Sequence, residues 1–239
     1  MAAPTFYCAE LVTAGSIQFL DEETSKHLIQ VLRKVEGDEV LLTDGKGSKA
    51  RAVLTEASRK KTGARLISVH KEEEKAQKVS IAISLIKNTS RFEWFLEKAT
   101  EIGVFEIIPL LCERTEKEKV RFDRMQNIVV SAMLQSQQSW LPDLTQPLNF
   151  EQAIARGFQQ KLIAHCTEAN KHSLVSLLHR EVSNPPTSSV IFIGPEGDFT
   201  NREIEAALNN EFIPVSLGTT RLRTETAGIV AATLLVNRQ

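Results

Sequence analysis

The sequence predicts an α/β protein of two domains, with a small β-barrel over residues 1–72 and a parallel-sheet domain over residues 73–239. Three observations lead to this prediction. Short apolar runs alternate with turn residues in the N-terminal third of the chain. A polar run follows at residues 71–78, and strand patterns then alternate with helical patterns as far as the C-terminus. Such alternation is typical of a parallel sheet with helices packed on it.

Four apolar runs of the N-terminal domain predict strands, at residues 16–20, 39–43, 50–54 and 64–69. Gly37-Asp38 and the run Asp44-Gly45-Lys46-Gly47 predict turns between them, because Gly and Asp tolerate the backbone angles of tight turns. A helix is expected over residues 22–32, where leucine and isoleucine recur on one face. Short strands around a single helix favour a small barrel.

Predicted strands and helices alternate in the C-terminal domain. The strands are expected at residues 79–86, 104–112, 162–166, 190–193 and 213–217, and the helices at 92–102, 124–138, 150–157, 174–179, 201–209 and about 226–236. Gly103 offers a C-cap to the first of these helices, and Thr200 with Glu203 forms a capping box. In such sheets, ligands bind at the loops beyond the carboxyl ends of the strands.

The composition excludes several classes of protein. The 239 residues carry 29 Lys and Arg against 30 Asp and Glu, and the net charge of -1 excludes a uniformly basic surface. The three cysteines form no CxxC pair, so neither a disulfide framework nor a metal site is expected. The longest apolar stretch is too short to span a membrane, and the N-terminus lacks the pattern of a signal peptide. The protein is therefore expected to be cytoplasmic.

Basic residues are nevertheless concentrated in one stretch of the N-terminal domain. Between positions 46 and 71 they are Lys46, Lys49, Arg51, Arg59, Lys60, Lys61, Arg65 and Lys71. Arg59-Lys60-Lys61 is expected at the tip of a hairpin. Such a cluster can contact phosphate groups, although a solvated hairpin would have the same composition.

The first motif with chemical content is Gly194-Pro195-Glu196-Gly197-Asp198, between a predicted strand and a helix N-cap. Its glycines allow the backbone to approach a ligand closely, and its proline stiffens the loop. Glu196 could accept hydrogen bonds from an amino group or a sugar hydroxyl. The motif is neither a P-loop nor a GxGxxG fingerprint, and a tight strand-to-helix turn would have the same pattern.

The second motif, Leu217-Gly218-Thr219-Thr220-Arg221-Leu222-Arg223-Thr224-Glu225-Thr226, also leads from a predicted strand into a helix. Gly218 allows the chain to turn away from the strand end. Glu225 is expected near the N-terminus of the last helix, where an acid is favoured. It can therefore be a helix-start acid paired with Arg223, or a functional carboxylate.

In this order, GPEG, LG and LRTETA resemble the SPOUT class of knotted methyltransferases. They are most similar to the ribosomal RNA small subunit methyltransferase E family, which methylates N3 of a uridine. Residues 97–104 and 113–115 resemble the first helix of that family's catalytic domain and the loop after its second strand. His27-Leu28, Val31-Leu32-Arg33 and the turns at 37–38 and 44–47 resemble its PUA-like RNA-binding domain. The resemblance covers nearly the whole chain.

The resemblance implies a deep trefoil knot near the C-terminus and an S-adenosylmethionine molecule bound between the knot loops. Carried over to this chain, one side of the cofactor site consists of Gly194, Pro195, Glu196 and Gly197, and the other of Leu217, Gly218, Leu222 and Arg223. The loop after Cys166 is a further candidate for a wall of the site. The resemblance also implies a homodimer, with the site beside the dimer interface.

The implied activity is methylation of a uridine N3 in 16S ribosomal RNA, so the RNA or the small ribosomal subunit is the expected partner. Uridine N3 carries a proton, and its anion has to be formed or stabilised. Arg223 or Arg221 could stabilise negative charge on the base oxygens. Glu225 or Glu196 could accept the proton, and the residues leave this choice open. The base has to be unpaired, because N3 is hidden in a Watson–Crick pair.

Charge and resemblance together indicate which residues contact RNA. They are Arg33, Arg51, Arg59, Lys60, Lys61, Arg65 and Arg114. The chain also departs from the family pattern. Asp198 stands where glycine is usual, and it can adopt a positive φ at small cost if the position requires one. Thr5, Leu134 and Gln138 replace charged residues at places expected to meet RNA.

Two other functions are compatible with the sequence. One is a SPOUT methyltransferase with another RNA acceptor, such as a ribose 2′-hydroxyl or a purine nitrogen. The other is a non-catalytic RNA-binding or ribosome-assembly factor. Intact GPEG and LRTETA loops favour an enzyme, because a protein without catalysis has no physical need for them.

Overall fold

The computed structural model describes residues 3–116, 119–167, 170–179 and 185–238, which form two compact units. The N-terminal unit consists of the chain up to Glu74 together with Met133–Leu141. The C-terminal unit consists of Lys75–Ala132 and the chain from Pro142 onwards. The segment Met133–Leu141 therefore belongs to the N-terminal unit, although it lies far along the chain from the other residues of that unit.

The N-terminal unit is built on a mostly antiparallel sheet with the order β1-β3-β4-β5-β2. Its strands are β1 (Thr5–Tyr7), β2 (Ile17–Phe19), β3 (Glu39–Thr43), β4 (Ser48–Glu56) and β5 (Gly63–Lys71). β1 pairs with β3 in parallel, and the other pairings are antiparallel. The predicted helix is present as α1 (Glu22–Lys26) followed by a π-helical turn at His27–Val31.

Trp140 is the anchor of the segment that joins the N-terminal unit from a distance. It forms a bridge with Lys46, and its ring lies so close to Gly47 that a Cβ there would be 2.5 Å from Trp140 Cζ2. The φ of 92° at Gly47 also favours glycine. In the same segment, the carbonyl of Gln137 accepts a hydrogen bond of 2.8 Å from Lys49 Nζ.

The C-terminal unit is built on a parallel sheet with the order β11-β13-β10-β12-β6-β7-β8, in which β9 also pairs with β7. Its strands are β6 (Lys78–Ser84), β7 (Glu106–Leu111), β8 (Asp143–Leu144), β9 (Leu148–Asn149), β10 (Gln160–Ala164), β11 (His172–Ser173), β12 (Ser188–Ile193) and β13 (Ile213–Ser216). The recorded pairings of this sheet are parallel, which confirms the predicted sheet type.

Helices connect these strands. They are α2 (Thr89–Ile102), α3 (Phe122–Gln135), α4 (Phe150–Ile154), α5 (Leu174–Leu178), α6 (Asn201–Asn209) and α7 (Thr224–Val236). Two predicted caps are confirmed, because Gly103 closes α2 with a φ of 89° and Thr200 forms a capping box with Glu203. The last helix begins at Thr224, two residues earlier than predicted. Within the described part of the chain, none of the helices has the length and apolar character that crossing a membrane requires.

Buried aromatic side chains fill one side of the parallel sheet and support the loop after β12. Phe199, at the end of that loop, is 1% exposed, and its ring centroid lies 5.4 Å from that of Phe150. Phe150 in turn lies 5.7 Å from Phe192 of β12. The loop after β12 is therefore anchored in the core at its C-terminal end.

Candidate active site

Three neighbouring strands of the parallel sheet end at the same level. Ala164, the last residue of β10, pairs with Ile193 of β12 on one side and with Val215 of β13 on the other. Because the strands are parallel, the loops that follow them leave from the same edge of the sheet. Residues 194–198 are called the GPEG loop below, and residues 217–223 the LGTTRLR loop.

A cavity of about 730 Å³ opens between these loops. Its volume is within the range of sites that bind small molecules. The lining consists of residues 164–166, Lys171, residues 193–196, Asp198, residues 215–225, Ala227 and Arg91 of α2. Both motifs identified in the sequence thus border one cavity.

Hydrogen bonds tie the GPEG loop to the loops on either side. Asp198 has a φ of 64°, and its Oδ2 accepts a hydrogen bond of 2.7 Å from the backbone N–H of Cys166, after β10. Nη1 of Arg114, in the loop after β7, donates to the carbonyl oxygen of Gly197 at 2.6 Å. The loop is therefore held from both sides before any ligand binds.

The buried carboxylate of Glu203 extends this connection into α6. Its Oε2 accepts a hydrogen bond of 2.8 Å from the backbone N–H of Thr200, as a capping box requires. Its Oε1 accepts a hydrogen bond of 2.9 Å from the backbone N–H of Glu113. The capping box therefore also fixes the loop after β7 against the start of α6.

The LGTTRLR loop leads into α7, whose first turn is tied to the GPEG loop. Thr224 Oγ1 donates a buried hydrogen bond of 3.0 Å to the carbonyl oxygen of Gly194. Arg223 occupies the N-cap of α7 without a capping hydrogen bond from its side chain. The guanidinium of Arg223 is exposed at the cavity, where it can contact a ligand.

Glu225 lies in the first turn of α7 and is 8% exposed. Its Oε1 lies 3.7 Å from Nε of Arg91, in the first turn of α2. The recorded ion pair of Glu225 is therefore with Arg91 and not with its sequence neighbour Arg223. Both members of the pair line the cavity.

His165 follows β10 directly, is 6% exposed and lines the cavity. Its Nδ1 lies 2.6 Å from Thr167 Oγ1. Its Nε2 is buried and has no hydrogen-bond partner among the residues that the structure describes. Burial, together with the nearby ammonium of Lys171, lowers the pKa of His165, and Asp198 partly opposes this. The site thus contains a buried imidazole with one unused nitrogen.

The structure places the predicted catalytic and cofactor-binding residues as follows. Arg223, Glu225 and Glu196 all line the cavity, as do Gly194, Pro195, Leu217, Gly218 and Leu222. Gly197 is in the same loop but outside the lining, and its carbonyl accepts the hydrogen bond from Arg114. Arg114, predicted to contact RNA, therefore contacts the GPEG loop.

The other predicted RNA contacts are exposed residues of the N-terminal unit. They are Arg33, Arg51, Arg59, Lys60, Lys61 and Arg65. Arg51 pairs with Glu39 across neighbouring strands at 2.8 Å, and Lys61 Nζ lies 4.1 Å from the centroid of the exposed Phe19 ring. Exposed pairs of this kind contribute little to stability, and all six residues are exposed, which leaves them accessible to phosphate groups.

Sequence reasoning missed Arg91 and His165 as residues of the site, whereas Lys171 lies in the loop after Cys166 that was a candidate wall and lines the cavity. His165 could have been suspected, because it follows a predicted strand at the edge where ligands bind. Arg91 left no such signal, because it lies in the first turn of a helix, where a charged residue is ordinary. The contact of Asp198 with Cys166 was equally invisible, since it joins loops 32 residues apart.

The cysteines differ strongly in their environments. Burial raises the pKa of Cys8 to about 11 and that of Cys112 to about 12, so both thiols stay protonated near neutral pH. Cys166 is exposed and lines the cavity. Among the described residues, no group of three or more His, Cys, Asp or Glu side chains could hold a metal ion.

Comparison with known proteins agrees with this architecture. A family model described as an RNA methyltransferase domain matches residues 72–236, and one described as an RNA methyltransferase PUA domain matches residues 20–62. These matches confirm the predicted α/β methyltransferase domain and the PUA-like domain that precedes it.

Individual relatives extend over most of the chain. Ribosomal RNA small subunit methyltransferase E of Synechocystis is 35% identical, over 86% of this chain and 68% of its own length. The Bacillus subtilis protein of the same name is 30% identical, over 87% of this chain and 85% of its own length. The crystal structure of the Neisseria gonorrhoeae protein of that name, bound to S-adenosyl methionine, is 28% identical with a TM-score of 0.84, over 97% of this chain and 95% of that one. The chain therefore belongs to the ribosomal RNA small subunit methyltransferase E family.

Proposed function

We propose that this protein methylates N3 of a uridine in the 16S RNA of the small ribosomal subunit, with S-adenosylmethionine as the methyl donor. The observation that carries the proposal is the cavity at the ends of β10, β12 and β13, which is bordered by both the GPEG and the LGTTRLR loop. The RNA methyltransferase domain supplies the class of reaction. The relative from Neisseria gonorrhoeae, which is bound to S-adenosyl methionine, supports the choice of donor.

The residues around the cavity suit this cofactor. Leu217 and Leu222 offer apolar contacts, and the loop backbones offer amides and carbonyls for a nucleoside. The unused Nε2 of His165 would gain a partner from a ligand hydroxyl or amine. Carboxylates at Glu196 and Asp198 suit a positively charged sulfur. When bound, S-adenosylmethionine supplies a methyl group activated by that charge.

Glu225 is the residue to which we assign acceptance of the N3 proton. Its carboxylate is buried at the cavity, in the first turn of α7. Glu196, the other candidate, is exposed and is better suited to contact the cofactor. Transfer of the proton from N3 to Glu225 leaves a nitrogen lone pair that can accept the methyl group.

Arg223 is the residue to which we assign stabilisation of the base anion. Loss of the N3 proton spreads negative charge over the two base oxygens, and a fixed cation near them lowers the barrier. Arg223 is exposed and lines the cavity, so its side chain is accessible to a bound base. Arg221 also lines the cavity and is the neighbouring candidate for the same task.

RNA binding is assigned to the N-terminal unit. Its exposed cations can contact phosphates without reading sequence, and the match to the PUA domain supports an RNA-binding role. Arg59, Lys60 and Lys61 lie in the connection between β4 and β5 and are exposed. The homodimer and the cytoplasmic location expected from the sequence belong to the same proposal.

Alkylation of Cys166 tests whether the cofactor occupies the cavity. At about pH 8 iodoacetamide alkylates an accessible thiol such as the exposed Cys166, whereas burial raises the pKa of Cys8 to about 11 and that of Cys112 to about 12. S-adenosylmethionine should slow labelling at Cys166, as read by peptide mass spectrometry. The Cys166→Ser variant identifies the labelled site. An unchanged labelling rate at saturating cofactor contradicts binding in this cavity.

Mapping of the product tests the acceptor. The protein is incubated with labelled S-adenosylmethionine and small ribosomal subunits that lack the modification. A methyl group on uridine N3 blocks the Watson–Crick edge, so reverse transcription should stop at that base, and nucleoside mass spectrometry should show a methylated uracil. A methyl group on a ribose or a purine rejects the proposed acceptor. If no methyl group is incorporated into any RNA, the proposed enzymatic activity is rejected.

A further inference from the structure

We infer that Arg91 is a positioning residue for the proposed reaction and acts by holding the carboxylate of Glu225 in place at the cavity. The inference rests on the proposed function, in which Glu225 accepts the N3 proton. Arg91 itself need not contact the reacting atoms. Its contribution follows from the way that α2 and α7 pack against each other.

Close packing of the two helices brings the pair together. Arg91 and Phe95 are four residues apart in α2, and Glu225 and Gly228 are three apart in α7, so each pair shares a helix face. Gly228 lies against Phe95, because a Cβ on Gly228 would be 2.6 Å from Phe95 Cε2. One turn before this contact in each helix lie Arg91 and Glu225, with 3.7 Å between Nε and Oε1.

The burial of the two side chains is unequal. The side chain of Glu225 is 10% exposed, whereas that of Arg91 is 45% exposed. Removal of water from a carboxylate is unfavourable unless a cation or hydrogen bonds compensate. Arg91 provides that compensation from the solvent side, while the hydrogen bond from Thr224 to Gly194 holds the same turn of α7 from the other side.

The geometry of the pair differs from that of a closed structural ion pair in the same unit. Arg156 Nη2 lies 2.7 Å from Oε1 of Glu106, and Ser80 donates to the other oxygen of that carboxylate at 2.8 Å. Neither Arg156 nor Glu106 lines the cavity. At 3.7 Å, Glu225 is held more loosely and borders the cavity, so its oxygens can accept a proton from a bound substrate.

Four variants separate a positioning role from a purely structural one. They are Arg91→Met, Arg91→Lys, Glu225→Gln and the double variant Arg91→Met/Glu225→Gln. Methionine keeps the alkyl stem without the charge, and lysine keeps the charge. We expect R91M to lower kcat at least about tenfold, which is part of the roughly 10²–10⁴-fold that a general base contributes, while calorimetry shows a Kd for S-adenosylmethionine within about twofold of wild type. R91K should recover most of kcat.

The double variant tests whether Arg91 acts through Glu225. If it does, adding R91M to E225Q causes little further loss of kcat, because the carboxylate that Arg91 holds is already gone. Losses that multiply in the double variant overturn the inference. So does an R91M protein with the kcat of wild type, or one whose defect lies in the Kd for the cofactor.

Melting of the ligand-free protein supplies a second readout that needs neither RNA nor cofactor. R91M leaves a buried carboxylate without its cation and should lower Tm, and E225Q in that background should restore much of the loss. A Tm for the double variant at or below that of R91M contradicts the coupling. If the wild-type protein methylates a different acceptor, the proposed function is rejected. The coupling between Arg91 and Glu225 can still be measured from the Tm values.

A matched control is available on α3. Arg124 Nη2 pairs with Glu93 at 2.7 Å, and neither residue lines the cavity. Arg124→Met therefore removes an arginine from an ion pair elsewhere in the same unit. It should leave kcat and the Kd for S-adenosylmethionine unchanged. A loss of kcat equal to that of R91M would contradict the inference, because removal of an arginine that does not line the cavity would then have the same effect.

Discussion

Replacement of Gly228 by alanine tests the packing on which the site depends. A Cβ at this position would lie 2.6 Å from Phe95 Cε2 and 2.8 Å from Ile83 Cδ1. Both neighbours are fully buried, so neither can move into solvent. Overpacking of this kind costs about 1–3 kcal/mol, while alanine gains about 1 kcal/mol over glycine in a helix. Because the Cβ would meet two buried side chains below 3.0 Å, the cost of overpacking lies in the upper part of that range, and the expected net loss of stability is about 1–2 kcal/mol.

Thermal and denaturant unfolding measure this loss. For a protein of this size, about 1–2 kcal/mol corresponds to a decrease in Tm of about 2–8 °C. The control is Thr233→Ala at an exposed position of the same helix, which changes helix propensity without new contacts and should leave Tm nearly unchanged. Gly228→Ala protein as stable as wild type, or more stable, would refute the reasoning that α7 needs glycine to approach α2.

Three further predictions concern the loops and the RNA surface. Asp198→Gly relieves the positive φ but removes the acceptor for the loop after β10, so calorimetry should show a severalfold weaker Kd for S-adenosylmethionine, whereas Asp198→Asn should stay near wild type. Reversal of the charges of Arg59, Lys60 and Lys61 should weaken RNA binding. The slope of log K against log salt should decrease in magnitude by about 2, because each phosphate contact on a single strand contributes roughly 0.7. An unchanged slope excludes the three residues as phosphate contacts. The pKa of His165 is lowered in the folded protein, so below the unfolded-state value of 6.5 the unfolded chain binds more protons than the folded one. Stability should therefore decrease as the pH is lowered below 6.5. That dependence should be reduced in His165→Leu protein, and urea unfolding at several pH values measures it.

Features set by neighbouring residues were predictable from the sequence. β3 and α6 have the predicted bounds, and the capping box at Thr200 and the C-cap at Gly103 are present. Each depends on interactions within a few residues of chain. Strand ends were less accurate: β4 and β5 extend beyond their apolar runs, because pairing continues across residues that are not buried.

Pairings over long distances in the chain were not predictable from patterning. β1 is a strand because it pairs in parallel with β3, and Met133–Leu141 joins the N-terminal unit because Trp140 packs on Gly47. The predicted helix over residues 22–32 changes to a π-helical turn at His27–Val31. Hydrophobic periodicity shows which residues are buried, but not against which partner they are buried.

The order of strands, turns and two motifs was enough to indicate a ligand site at one edge of a parallel sheet, since the carboxyl ends of parallel strands lie together, and the family resemblance of the motifs indicated the cofactor. Tertiary structure alone decided which side chains complete that site. Arg91 meets Glu225 because Gly228 lets two helices approach, and Asp198 reaches Cys166 because β10 and β12 are neighbours in the sheet. Such contacts arise from packing between distant segments, and packing leaves no periodic signal in a single sequence.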